Sequence, residues 1–176
     1  MPASAAAPAA PTAVRTQKFL TFLLGQEAYG IDIADVQEIV AALPITRVPG
    51  AAAFVRGVVN LRGRVIPIVD LRARLELGRV EVDGRTCIIV VRTGAALLGL
   101  LVDRVSEVAD IAPAEIDPVP EVGPAARTEF LRGIGRAGGQ LRLLLDLERV
   151  LAIVDLPRAG SDAATDRAAA SDAEPA

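Results

Sequence analysis

Laid against itself at an offset of 76 residues, the chain matches without a gap. Phe54-Val55-Arg56-Gly57-Val58 falls on Phe130-Leu131-Arg132-Gly133-Ile134, Gly63 on Gly139, and Val65 through Leu71 on Leu141 through Leu147, with Asp70 meeting Asp146. The upstream parts match at an offset of 69: Gly30-Ile31 on Gly99-Leu100, Ile33 on Val102, Val36 on Val105, Glu38 on Glu107 and Ile39 on Val108. Val48-Pro49 then meets Val119-Pro120 at an offset of 71, so only a small insertion separates the two registers. The 176 residues therefore hold two copies of one unit of roughly 70 residues, and any fold must be built from that unit twice.

Within each copy, apolar runs of four to eight residues alternate with glycine, proline and charged breaks, the pattern of many short strands. It predicts strands over 19–24, 28–33, 57–61, 65–69, 86–91, 97–102 and 141–145, with weaker ones over 38–42, 106–111 and 134–136. Only brief helices fit elsewhere: one turn over 51–55, and segments over 71–75 and 147–154 that follow Asp70 and Asp146, residues suited to an N-cap. The expected class is all-β, with each copy closed into a small barrel because closure removes exposed strand edges. Each copy alone buries little apolar surface at about 25 cal/mol per Å², so the two should pack on each other and fold together. Pro67, lacking an N–H for a sheet ladder, is expected at an edge or a bulge and marks a docking edge.

Apolar residues make up 52% of the chain, yet no apolar run approaches the ~20 residues of a membrane-spanning helix. The start, Met1-Pro2-Ala3-Ser4, lacks the basic region and apolar core of a secretory signal, and the Ala/Pro-rich stretch 1–17 and the Ala/Asp/Ser-rich stretch 156–176 are expected as disordered tails around a domain at 18–155. The lone Cys87 has no disulfide partner and is expected as a buried thiol, which suits the cytoplasm. A net charge of −3 gives no overall pull toward nucleic acid. With no histidine, the usual general base and the commonest metal ligand are missing, which excludes catalytic triads and histidine-based zinc sites.

The segment Gly133-Ile134-Gly135-Arg136-Ala137-Gly138 satisfies G-x-G-x-x-G, but an apolar strand follows where dinucleotide binding needs a helix, so it reads as hairpin chemistry. Asp70 and Asp146 tempt a reading as paired catalytic acids; recurrence before a short helix in both copies favours N-caps. Asp32, Asp35 and Asp103 lack calcium-loop spacing, and no metal or cofactor is assigned. Arg56, Arg62, Arg64, Arg72 and Arg74 concentrate charge in the first copy as a solvated rim, and with few aromatics for base stacking a nucleic-acid-binding barrel is the weaker alternative. Glu38 and Arg62 stand out as charges in segments otherwise suited to burial, read as a surface ion pair or two unrelated charges.

Phe19-Leu20-Thr21-Phe22, Tyr29-Gly30-Ile31-Asp32-Ile33, Val36-Gln37-Glu38-Ile39, Gly57-Val58-Val59-Asn60-Leu61-Arg62-Gly63, Pro67-Ile68-Val69-Asp70-Leu71-Arg72 and Val102-Asp103-Arg104-Val105 resemble successive blocks of the CheW family of chemotaxis coupling proteins. The likeness runs from Lys18 to about Ile153, and the pairing of Asn60–Gly63 with Pro67–Asp70 is its most specific part. The resemblance implies two intertwined SH3-like five-stranded β-barrels and a non-catalytic adaptor. Its partners are then the regulatory domain of the histidine kinase CheA and the cytoplasmic tips of chemoreceptors, in membrane-associated arrays without membrane insertion, with weak self-association through apolar edges. By similarity the partner surfaces draw on Glu38, Ile39 and Arg62 in the first copy and Val105 and Val108 in the second. Cys87-Ile88 departs from the valines usual in the family at that strand. The same blocks occur in the kinase's own regulatory domain and in receiver fusions, from which the short length separates this chain.

Overall fold

The computed structural model describes residues 15–121 and 128–152. Five strands and a helix come from the first copy: β1 (Gln17–Leu24), β2 (Glu27–Asp32), β3 (Val36–Ala41), β4 (Val55–Leu61), β5 (Arg64–Asp70) and α1 (Leu71–Arg74). The second copy repeats them as β6 (Cys87–Thr93), β7 (Ala96–Val102), β8 (Arg104–Ile111), the two-residue β9 (Ile116–Asp117), β10 (Leu131–Ala137), β11 (Gln140–Leu145) and α2 (Leu147–Leu151). All ten strands read from the sequence are present.

The copies do not form one sheet each. A six-stranded sheet runs β8-β1-β2-β11-β10-β9 and a five-stranded sheet β3-β6-β7-β5-β4. Each copy thus lends its first hairpin to the other: β1–β2 lies between β8 and β11, and β6–β7 lies between β3 and β5. The joins are parallel and equivalent under the repeat, Leu144 opposite Gly30 and Ile68 opposite Gly99. At Gly99 an added Cβ meets Ile68 Cδ1 at 2.5 Å and Ile88 Cγ2 at 2.6 Å, so the crossing needs a residue without a side chain.

Both sheets curl. The chain leaves β3 at one edge and five residues later pairs Thr46 with Val58 on β4, the opposite edge of the same sheet. Four strand spacings on a flat sheet span about 19 Å, beyond the ~17 Å that five extended residues reach. The second copy repeats the return, from β8 to the pairing of Asp117 with Ile134.

Three apolar clusters follow from this interleaving. The largest lies where the sheets meet, joining Phe22, Tyr29, Val69, Ile89, Leu98 and Leu145 to Leu71 of α1 and Val150 of α2. A second, including Val59, Ile66, Ile68, Ile88 and Val90, fills the five-stranded sheet. The third, inside the six-stranded sheet, is small: Phe19, Ala109, Ile111 and Leu144. There Thr21 and Arg142 occupy the places of Val90 and Ile66, and both are buried.

Several expectations are corrected. Residues 51–54 hold no helical turn: reversals at 49–50 and 53–54 bring the chain into β4, with Val55 N donating to Ala52 O at 2.9 Å. Pro67 sits on β5, an internal strand between β7 and β4. It is tolerated because its partner Val58 spends both backbone groups on Thr46, and the pairing with β7 starts only at Ile68. Cys87 is partly buried at the start of β6, its Sγ near Arg85 O, instead of deep in the core. Helix α2 is described to Leu151 with Ala152 as its C-cap, and the end expected at Val154 lies outside the described residues. So do the tails, apart from residues 15–17, of which Gln17 opens β1.

Candidate functional site

The β4–β5 turn holds Arg62, one of the two non-glycine residues with positive φ among the described residues, Glu76 being the other. Leu61 pairs with Arg64, leaving Arg62 and Gly63 as a two-residue loop with φ of 53° and 83°. Positive φ at both positions is the twist that suits a tight hairpin. Asn60 Oδ1 accepts from Gly63 N at 2.9 Å and holds the turn. The equivalent β10–β11 turn makes the same shape from Gly138 and Gly139, at 57° and 75°. This turn accounts for Gly138 of the glycine pattern over 133–138, while Gly133 and Gly135 lie within β10, where an added Cβ would meet Ile116 Cγ2 at 2.8 Å and Ile111 Cδ1 at 2.7 Å. Glycine adopts the left-handed region freely, whereas an L side chain there costs about 1–2 kcal/mol. Arg62 therefore keeps a strained backbone at a position where the second copy shows that glycine suffices.

The side chain at that position is 78% exposed and its Nη2 lies 3.1 Å from Glu38 Oε2 on β3. The two charges singled out in the sequence are thus brought together across the open side of the five-stranded sheet. β3 is an edge strand, paired only with β6, with a bulge between Val36 and Glu38 that re-aims the side chains. Beside Glu38, Ile39 is 42% exposed, and Gln37 Oε1 accepts from Arg92 Nη2 at 3.0 Å. A free edge, an exposed isoleucine and an ion pair thus lie side by side, an apolar centre beside a charged rim.

The second copy presents the equivalent strand, β8, at the edge of the six-stranded sheet. Val108, the counterpart of Ile39, is 47% exposed. Val105 is different: it pairs opposite Phe22 and packs against the central cluster, so only part of it faces solvent. Glu107, the counterpart of Glu38, accepts from Arg142 Nη2 at 2.9 Å, its backbone held by Thr21 Oγ1 through bonds of 2.7 and 3.2 Å. Each edge thus carries a glutamate bridged to an arginine of its own sheet. Glu38, Ile39 and Arg62 form one patch, and Val105 and Val108 belong to another on the opposite sheet.

Sequence reading missed two of the most exposed apolar side chains, Val65 at 70% and Leu141 at 62%, equivalent positions just past the two hairpin turns. The repeat aligned them, but each opens an almost unbroken apolar run, so alternation gave no sign that the first residue faces water.

The aspartates take the capping role. Asp70 Oδ1 accepts from Ala73 N at 3.1 Å and Asp146 Oδ1 from Arg149 N at 3.2 Å. Asp70 is also fully buried, accepting from Val80 N at 3.0 Å and lying 3.1 Å from Arg56 Nε. A cleft of about 360 Å³ is lined by Asp32, Asp35, Asp146 and Glu148 with Arg92 and Arg132. Burial, and then the neighbouring Asp32 and Glu148, hold the Asp35 carboxyl above its ordinary range. Among the described residues no three acidic or cysteine side chains are grouped to hold a metal ion.

The CheW-like domain family matches residues 18–155. The chain is 42% identical over 135 residues to the chemotaxis protein CheW of Klebsiella aerogenes, covering 77% of this chain and 81% of that one. It is 30% identical over 154 residues to that of Treponema pallidum, covering 84% and 91%. Protein FrzA of Myxococcus xanthus is 34% identical over 123 residues, covering 70% of this chain and 76% of FrzA. Among solved structures, the scaffolding protein TtCheW of Thermoanaerobacter tengcongensis superposes with a TM-score of 0.71 at 34% identity, covering 78% of this chain and 88% of that one.

Proposed function

We propose, from the premise that this chain belongs to the CheW-like domain family, that its two edge surfaces join a chemoreceptor to a histidine kinase. It is a non-catalytic chemotaxis adaptor. The partners are the cytoplasmic tip of the receptor and the regulatory domain of the kinase CheA, in an array on the cytoplasmic side of the membrane; among the described residues no helix is long and apolar enough to cross one. The first patch is built on Glu38, Ile39 and Arg62, the second on Val108 with Val105 beneath it. Holding both partners in one geometry lets a change in the receptor bias the kinase, which requires that the adaptor bind the partners' states with different free energies.

The observation that carries this reading is the strained arginine of the β4–β5 turn: backbone strain of about 1 kcal/mol persists where the side chain is needed. Arg62→Gly separates function from fold. The variant keeps the turn and its stability, yet loses receptor-dependent control of kinase activity in a reconstituted mixture of receptor, kinase and adaptor. A variant that folds and couples like the parent removes Arg62 from the site.

A further inference from the structure

Arg74 of α1 lies between Phe54 and Phe130, two phenylalanines related by the repeat. Its guanidinium carbon sits 4.9 Å from the first ring centroid and 4.4 Å from the second. Its Nε donates to Val150 O of α2 at 2.7 Å, and Val150 is the residue that the offset of 76 places on Arg74 itself. A single side chain therefore occupies the point where the two copies face each other. The second copy answers with a buried valine, so the contact is made from one side only.

The place of this contact matters more than its strength. Phe54 and Phe130 lie at the entries to β4 and β10, and each is tied by its carbonyl to the N-cap of its own helix: Asp70 N donates to Phe54 O and Asp146 N to Phe130 O, both at 2.8 Å. β4–β5 is the hairpin whose tip holds Arg62, and β10–β11 is its counterpart in the other sheet. Arg74 thus joins the roots of the two hairpins and caps the last turn of the opposite helix with a cation. Among the described residues its Nη2 is buried without a hydrogen-bond partner, and the two ring faces give the guanidinium an electrostatic counterpart. Sliding one hairpin against the other would pull the guanidinium off a ring and leave that buried N–H facing nothing.

We infer that Arg74 is a positioning residue of the adaptor: by clamping the two hairpin roots together it sets the angle between the two partner surfaces. This inference rests on the adaptor reading of those surfaces.

The test uses the full chain with Arg74→Met, which fills the slot without charge or donor, and Arg74→Lys, which restores both without the planar stack. Spin labels on Val65→Cys and Leu141→Cys, both well exposed and one on each hairpin, in a Cys87→Ser background report the distance between hairpins. The Met variant is expected to broaden or shift that distribution and the Lys variant to restore it largely. Titrations of the kinase regulatory domain, with and without a receptor-tip fragment, should show each single affinity within about twofold of the parent. The coupling between them should fall about fivefold or more toward none, with recovery in the Lys variant. An unchanged distribution and unchanged coupling in Arg74→Met overturn the inference. Loss of affinity for one partner alone also overturns it, by placing Arg74 in a binding surface. A parent chain with no coupling defeats the adaptor reading instead, and the distance measurement still decides what Arg74 does.

Discussion

Asp70 and Asp146 stand at the same place in the two copies, yet replacing each by asparagine should have very different consequences. Both cap a helix, a task asparagine performs about as well as aspartate. Asp146 has little else to lose: its 3.5 Å pair with Arg149 involves a partner 62% exposed, a contact of at most ~0.5 kcal/mol. Asp70 is fully buried, and its second oxygen faces both Val80 N and Arg56 Nε. The Arg56 contact is an ion pair by distance, its Nε–H not being aligned for a hydrogen bond. In Asp70→Asn an amide NH₂ confronts either Ala73 N–H at the cap or Val80 N–H and the guanidinium. Breaking a buried pair by removing one charge costs about 3–5 kcal/mol. Arg56 is 21% exposed and recovers some hydration, so about 3 kcal/mol is expected. For a domain of this size that lowers Tm by about 8–12 °C, against roughly 2 °C or less for Asp146→Asn. Urea unfolding of both variants, with an unchanged m-value, measures the difference directly. Losses within about 1 kcal/mol of each other would show that burial of Asp70 adds nothing to its capping, and the reasoning fails.

Other outcomes follow from the same asymmetries. Gly99→Ala should cost about 1–3 kcal/mol because its Cβ collides with Ile68 and Ile88, whereas the equivalent Gly30→Ala comes no nearer than 3.0 Å, to Leu144 Cδ2, and should cost less; denaturant midpoints compare them. Arg142→Ile, which installs the residue found at the matching position 66, should be neutral or stabilise by about 1–2 kcal/mol, since a buried, partly unsatisfied guanidinium is exchanged for apolar packing. A clear drop in Tm would mean that the bond to Glu107 outweighs the burial of Arg142. The raised pKa of Asp35 means that the folded state holds its proton to higher pH than the unfolded chain. Its unfavourable contribution is therefore absent below pH ~3.8, grows as pH rises through the folded pKa and is constant above it. Asp35→Asn should raise Tm at pH 7 and leave it unchanged near pH 3; the reverse pattern would contradict the assignment.

The strands were legible because the glycine and proline breaks are frequent and the repeat supplied each one twice: a weak signal over 134–136 gained support from a stronger one over 57–61. The sequence left Glu38 and Arg62 as either a surface ion pair or two unrelated charges, and the structure shows the pair. Nothing in the spacing of residues 38 and 62 shows that the β4–β5 turn and the β3 edge approach one another. Pro67 was misread because proline reports only that one N–H is missing, and whether a neighbouring strand asks for that N–H depends on register. Val105 and Val108 look alike in a strand pattern, and only pairing opposite Phe22 turns the first toward the core.

What the sequence determined alone is the unit and its duplication: two all-β copies, the turns that define their hairpins, and aspartates that cap the two short helices. These are local properties, set by backbone propensities and side chains acting within a few residues of themselves. Only the tertiary structure decided that the copies exchange their first hairpins, because a parallel join of β2 to β11 and of β7 to β5 is chosen by which apolar faces must be buried. The same long-range choice made equivalent residues unequal. It buried Asp70 and left Asp146 half-open, buried Arg142 where the first copy has Ile66, and put one arginine between two phenylalanines with a valine at the equivalent place.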